Sequence, residues 1–244
     1  MGDKYHKIQK KQPDKSAEYK IERARLNKKT DFSIGVLGLG NIGKAAANEI
    51  LKLEFPDYGL KIKSLVLFSR NLEKSIGIRN QLEDKSETEL PIMAANTLDD
   101  ILETDICIFA ADSDANKVYM QHCAQTKIIP QRLIMAQNNY EIVKGIAPQF
   151  KDYKGLVIMV TNHTDIMSYF FAKYSQLNPL QIAGLNHTDV LRAKAVLLET
   201  IKPFSKDKLS KEDLKVFTMG SHDENMIPII SKANYKGLGI DALG

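Results

Sequence analysis

The feature that most constrains this chain is Gly38-Leu39-Gly40-Asn41-Ile42-Gly43, set where one hydrophobic pattern gives way to another. Before it, Ile34 to Leu39 (IGVLGL) is an unbroken apolar run, the pattern of a strand buried on both faces of a parallel sheet. After it, Asn41 to Leu53 carries Ile42, Ala45, Ala46, Ile50 and Leu53 at helical spacing, and Phe55-Pro56-Asp57-Tyr58-Gly59 ends that helix. In a GxGxxG motif between strand and helix, the first glycine makes the tight turn and the second lets the backbone approach a pyrophosphate. The third lets helix and strand pack closely. Free N–H groups at the helix start then hold phosphate charge. Gly38, Gly40, Asn41, Ile42 and Gly43 are therefore expected to bind a dinucleotide.

The same alternation continues downstream. Ile62 to Phe68 predicts a second strand, followed by a polar helix to about Asp84. Thr97 to Glu103 predicts a short helix capped by Thr97, with Asp99 and Asp100 in its first turn. Asp105 to Ala110 and Leu156 to Val160 predict further strands, with a long helix from Pro130 to Phe150 between them. Strands alternating with helices predict an α/β fold, a Rossmann-type doubly wound parallel sheet over residues 31–162. Beyond it, helices at Asp165–Ser175 and Asp189–Thr200 accompany strands at Gln181–Leu185, Val216–Met219 and Met226–Ile230, with a lysine-rich loop from Lys202 to Asp213. Residues 163–244 are thus expected to begin a second, α+β substrate domain, which stops early enough to imply C-terminal truncation.

Composition sets outer limits. Hydrophobic residues at 43% and charged residues at 26% suit a soluble globular protein. The sequence holds no run of about 18 or more apolar residues and no apolar leader, which predicts a cytoplasmic protein with no membrane partner. The two cysteines form no CxxC pair, and Cys107 inside an apolar run reads as a buried small hydrophobe. No HExxH or Cys/His cluster predicts a metal site. Residues 1–30 hold ten Lys and Arg against four Asp and Glu and few apolar side chains, the pattern of a disordered basic arm. Basic arms of this length are common and unspecific, and it reads as a solvated tail rather than a nucleic-acid binder.

The end of the second strand selects the cofactor. An acidic residue there binds both ribose hydroxyls of NAD; this chain has Ser69-Arg70-Asn71 instead. A hydroxyl and a guanidinium favour a 2′-phosphate, because Arg pairs with it bidentately, so NADP is preferred over NAD. The alternative is that Arg70 stacks on adenine or points to solvent.

Of the five histidines, His222 stands apart, following a strand on a glycine turn (Gly220-Ser221-His222-Asp223). His6, His122, His163 and His187 have plainer readings in the arm, a polar loop and strand ends. Asp189 and Arg192 are three apart and share one face if their segment is helical. Reduction of a 2-oxo acid needs a proton donor for the carbonyl oxygen, a cation to polarise it and a forked cation for the carboxylate. His and Arg suit these tasks.

With these motifs in order, the chain resembles the lactate/malate dehydrogenase family from Phe32 to Gly244. Thr161-Asn162-His163-Thr164-Asp165-Ile166 is similar to the family's Asn-Pro-Val-Asp-Ile stretch, and Asp189-Val190-Leu191-Arg192 to its Leu-Asp-Ser-Ala-Arg stretch. Gly220-Ser221-His222-Asp223 is similar to its Gly-Glu-His-Gly turn, and Met226-Ile227-Pro228-Ile229 to the strand that follows. The resemblance implies that His222 donates and accepts the proton, Asp189 orients it, and Arg192 binds the substrate carboxylate. Asn162 would lie at the nicotinamide ribose and the substrate. Arg132, at the end of a mobile loop before Gln137-Asn138-Asn139, would polarise the carbonyl. It also implies a homo-oligomer.

The chain departs from the pattern in places. His163 replaces a proline and Asp223 a glycine, and the loop Asp112–Pro130 has no glycine and no arginine to read a second carboxylate. The last point favours a lactate-type over a malate-type substrate, although Lys117 or Lys127 are possible substitutes. Two alternatives stay open: a degenerate, non-catalytic dinucleotide-binding member, and another Rossmann oxidoreductase whose downstream resemblance is accidental.

Overall fold

The computed structural model describes residues 30–53, 59–86, 89–129, 131–185, 187–204, 209–220 and 226–240. The basic arm, apart from Thr30, lies outside the described residues.

The chain opens with β1 (Asp31–Leu37), α1 (Asn41–Ile50), β2 (Lys61–Phe68), α2 (Leu72–Glu83), β3 (Ile92–Ala94), α3 (Asp99–Leu102) and β4 (Ile106–Phe109). Then come α4 (Asp114–Thr126), α5 (Arg132–Ile146), β5 (Leu156–Met159), α6 (Thr164–Ser175) and β6 (Ile182–Gly184). These strands form one six-stranded sheet in the order β3-β2-β1-β4-β5-β6. Pairing is parallel between β1 and β2, β1 and β4, β2 and β3, and β4 and β5. The arrangement is the doubly wound Rossmann sheet, whose order reverses at β1 and opens a crevice beyond the carboxyl ends of β1 and β4.

Burial on both faces explains the continuous apolar strands. Ile34, Val36, Leu65 and Leu67 pack with Ala47 and Ile50 of α1 and Ile78 and Leu82 of α2. Leu37, Val66, Cys107, Phe109, Val157 and Met159 pack on the other side with Val143 of α5 and Met167 and Phe171 of α6. The Phe171 ring meets Phe109 and Phe150 edge-on, at 5.3 and 5.1 Å between centroids. Cys107 is fully buried, and desolvation pushes its thiol well above the ordinary cysteine range.

Several expectations are corrected. The buried stripe of α1 is Gly43, Ala47 and Ile50; of the apolar positions expected there Ile50 faces the core, whereas Ile42 and Leu53 are exposed. β3 went unpredicted because three residues carry no periodicity and owe their form to pairing with β2. Thr97 does not cap α3; instead the Asp100 carboxylate accepts from the N–H groups of Asn96 and Thr97 at 2.9 and 3.2 Å. The expected loop at Asp112–Pro130 contains α4, which holds His122 and buries only Asn116 and Cys123. That exposure removes the apolar period, while Ser113 caps its start through Ala115 N–H and Lys127 closes it at φ 56°. The helix expected at Pro130–Phe150 ends at Ile146 and passes into a 3₁₀ turn at Ala147–Phe150, because Pro148 has no N–H to extend the helical ladder.

Two compact units result. The first runs to Asn162 and includes Ile166–Ala183; the second comprises His163–Asp165 and Gly184–Gly244. Residues Ile166–Ala183 thus pack with the sheet, through Met167 and Phe171, rather than with the later segment. The second unit holds α7 (His187–Ile201), whose Ala193, Leu198 and Ile201 bury against Leu214, Val216, Ala233 and Tyr235. Its short strands are β7 (Leu214–Lys215), β8 (Thr218–Met219), β9 (Ile227–Pro228), β10 (Asn234–Tyr235) and β11 (Leu238–Gly239). β8 pairs antiparallel with β9, and β10 with both β7 and β11. Among the described residues no helix is long and apolar enough to cross a membrane.

Candidate functional site

The glycine loop lies between β1 and α1, and each glycine has a separate physical reason. Gly38 has φ +96°, and a Cβ there would lie 2.4 Å from the backbone of Ala111. Its N–H donates to the Phe68 carbonyl at 2.9 Å, so it is wedged between the ends of β2 and β4. A Cβ on Gly43 would lie 1.9 Å from the Gly38 carbonyl oxygen, so only glycine lets α1 start this close to the loop. Gly40 is different: a Cβ there would meet nothing within 4 Å. It is the N-cap of α1, no side chain caps the helix, and its first turn holds no acidic residue. Uncapped N–H groups facing open space at a helix start form an anion cradle. Asn41 and the exposed Ile42 sit on its rim.

The loop after β2 forms the next wall. The Ser69 hydroxyl donates to the Asn71 carbonyl at 2.6 Å, and Asn71 caps α2 by accepting from Lys74 N–H at 3.0 Å. Arg70 neither stacks nor stands free, since its Nη2 pairs with Asp114 Oδ2 at 2.7 Å. Asp114 Oδ1 also receives Lys117 Nζ at 2.8 Å. Lys117, and then Arg70, hold the Asp114 carboxyl below the usual carboxylate range. The Lys74 ammonium is drawn below the ordinary lysine value by partial burial, then by the like charges of Lys117 and Lys44, with Asp114 opposing.

Beside this wall lies an asparagine network that the motifs did not indicate. Asn139 of α5, 1% exposed, accepts from Ser113 N–H at 2.9 Å and Asn116 Nδ2 at 3.0 Å, and donates to the Asn162 carbonyl at 2.8 Å. Asn116, also 1% exposed, donates to Asp112 at 2.8 Å and accepts from Asn138 Nδ2 at 2.8 Å. Thr161 Oγ1 adds a bond to the Ala111 carbonyl at 2.6 Å. The loops after β4 and β5 are thereby tied to α4 and α5. The available signal was three asparagines inside segments otherwise able to form helix, where such residues are poor choices unless they have partners.

In the first unit the glycine loop, Gly38, Gly40, Asn41, Ile42 and Gly43, is tied to the end of β2 that leads into Ser69 and Arg70, and Asn162 lies in the loop three residues beyond β5. Arg132 is the first residue of α5, and its side chain lies outside the described residues. In the second unit, Asp189 and Arg192 share a face of α7 as their spacing predicts. Asp189 is 5% exposed, and Arg192 Nη1 lies 3.7 Å from its Oδ1. β8 leads into Gly220 at φ +99°, the start of the glycine turn expected there; His222 and Asp223 lie outside the described residues.

No protein-family model and no curated protein matches the chain. Solved structures do. The malate dehydrogenase of Plasmodium falciparum superposes with a TM-score of 0.67 at 22% identity, covering 86% of this chain and 61% of that one. The malate dehydrogenase of Aeropyrum pernix gives 0.64 at 17% identity, covering 86% and 63%. The lactate dehydrogenase of Cryptosporidium parvum, complexed with lactic acid and nicotinamide adenine dinucleotide, gives 0.63 at 21% identity, covering 86% and 61%. This chain therefore has the fold of malate and lactate dehydrogenases and spans about three fifths of their length.

Proposed function

We propose that the protein is an NAD(P)-dependent oxidoreductase that interconverts a small 2-oxo acid and its 2-hydroxy acid. The observation that carries the dinucleotide part is Gly40: an uncapped helix start opening on space that any side chain would narrow, at the crevice of a doubly wound sheet. Likeness of fold to dehydrogenases supports the chemistry.

Gly38, Gly40, Asn41, Ile42 and Gly43 hold the pyrophosphate, and Ser69 and Arg70 lie at the adenosine ribose, with NADP(H) preferred. The bound nicotinamide supplies or accepts the hydride. Asn162 orients the nicotinamide ribose and the substrate. Arg192 grips the substrate carboxylate with its fork, Arg132 polarises the carbonyl, and His222 delivers the proton while Asp189 stabilises the imidazolium. The stretch Asp112–Pro130 holds no arginine to read a second carboxylate, which supports a lactate-type substrate.

A non-catalytic dinucleotide-binding role is the second reading. It is favoured by α4, a capped helix pinned through Asn116 in the stretch expected to close over substrate. Steady-state oxidation of NADPH and NADH with pyruvate, oxaloacetate and bulkier 2-oxo acids separates the two. The enzyme reading expects turnover that His222→Asn abolishes; cofactor binding without turnover supports the second.

A further inference from the structure

Arg70, in the loop after β2, and Lys117, on α4, meet at Asp114, and the like charges of Lys117 and of Lys44 on α1 bear on Lys74 of α2. Asp114 is the carboxylate that holds this group, with its two oxygens 2.7 and 2.8 Å from Arg70 and Lys117. Two cations pair with this one carboxylate, and the charges of Lys74 and Lys44 add to the positive side of the balance. Arg70 is 78% and Asp114 67% exposed in their side chains, so this pairing adds little to stability. The position has chemical meaning, because Gly38 N–H bonds the last residue of β2 and the region begins two residues later. With a pyrophosphate at the start of α1, the adenosine ribose lies over the end of β2.

Resting on the dinucleotide reading above, we propose that Lys74, with Arg70 and Lys117, forms a subsite for a phosphate on that ribose, and that Asp114 is an internal stand-in which the phosphate displaces. A dianionic phosphate answers the excess charge better than one carboxylate and accepts from several donors at once. Arg70 thereby changes partner from Asp114 to ligand, and Lys74, set against the like charges of Lys117 and Lys44, gains a dianion in place of a single carboxylate.

The test is calorimetric titration of the full chain with NADP⁺, NAD⁺ and inorganic phosphate, in native protein, Lys74→Gln and Asp114→Asn. Lys74 and Asp114 are exposed, so the variants fold, and circular dichroism checks this. NADP⁺ is expected to bind about tenfold or more tightly than NAD⁺, a difference that shrinks with salt. Lys74→Gln should reduce that ratio several-fold, and Asp114→Asn should raise it. Equal affinities in the native protein, a ratio unmoved by both variants, or phosphate alone binding as tightly as NADP⁺ each overturn the subsite while NAD⁺ binding leaves the dinucleotide reading standing. Failure to bind either dinucleotide overturns both.

Discussion

Replacing Asn139 by alanine removes three hydrogen bonds at one buried point, to Ser113 N–H, Asn116 Nδ2 and the Asn162 carbonyl. The three do not count equally. Ser113 N–H and Asn116 Nδ2 each keep Asp112 Oδ1, at 3.0 and 2.8 Å, so their loss is softened. At about 1 kcal/mol net per bond, plus a small cavity term, the substitution should cost about 2–3 kcal/mol. Asn138→Ala breaks a single bond, to Asn116 Oδ1, and should cost about 1 kcal/mol. Asn139→Asp keeps the acceptor but turns a carboxylate oxygen toward the Asn162 carbonyl. Burial then raises its folded-state pKa above the unfolded value, so the deficit relative to the native protein should shrink as pH falls, when the protonated acid can donate. Urea unfolding followed by far-UV circular dichroism measures all three. If Asn139→Ala is no worse than Asn138→Ala, the network does not hold the two loops and the reasoning fails.

Other consequences of the structure are equally open to measurement. Gly40→Asp puts a good N-cap into empty space, so the urea midpoint should hold or rise while dinucleotide binding is lost to charge repulsion. Gly43→Ala, whose Cβ would overlap the Gly38 carbonyl, should lower the midpoint sharply as well as binding. Phe171→Ala should cost about 3–5 kcal/mol by the same unfolding assay, since it leaves Phe109 and Phe150 facing a cavity. In steady-state kinetics, Arg192→Lys should raise KM for an oxo acid by about tenfold or more, because an ammonium cannot reproduce the fork; an unchanged KM removes Arg192 from the substrate site.

The parts legible in the sequence were those with a local physical signature. Ile34–Leu37 and Leu65–Leu67 are buried on both faces and so read as unbroken apolar runs, and the glycine loop betrays itself because Gly38 and Gly43 tolerate no Cβ. The Asp189–Arg192 pair was legible because helical spacing alone brings the two side chains together. What stayed hidden depends on distant partners. α4 buries too little to show a period, β3 takes its form from β2, and Asn139 acquires meaning only where β4, β5 and α5 meet. Arg70 was legible as a cation after the second strand, but its engagement by Asp114, 44 residues away, was not.

Isotope transfer shows whether a hydride passes from the nicotinamide to the substrate. The protein is incubated with a 2-oxo acid and NADPH deuterated at the reactive nicotinamide carbon, and the hydroxy acid is analysed by mass spectrometry. Deuterium is expected on the carbinol carbon of the product, and none there when the label is supplied only as heavy water. Product without transferred label, or no product from any 2-oxo acid while the dinucleotide is bound, would mean that the protein is not a 2-hydroxy acid dehydrogenase.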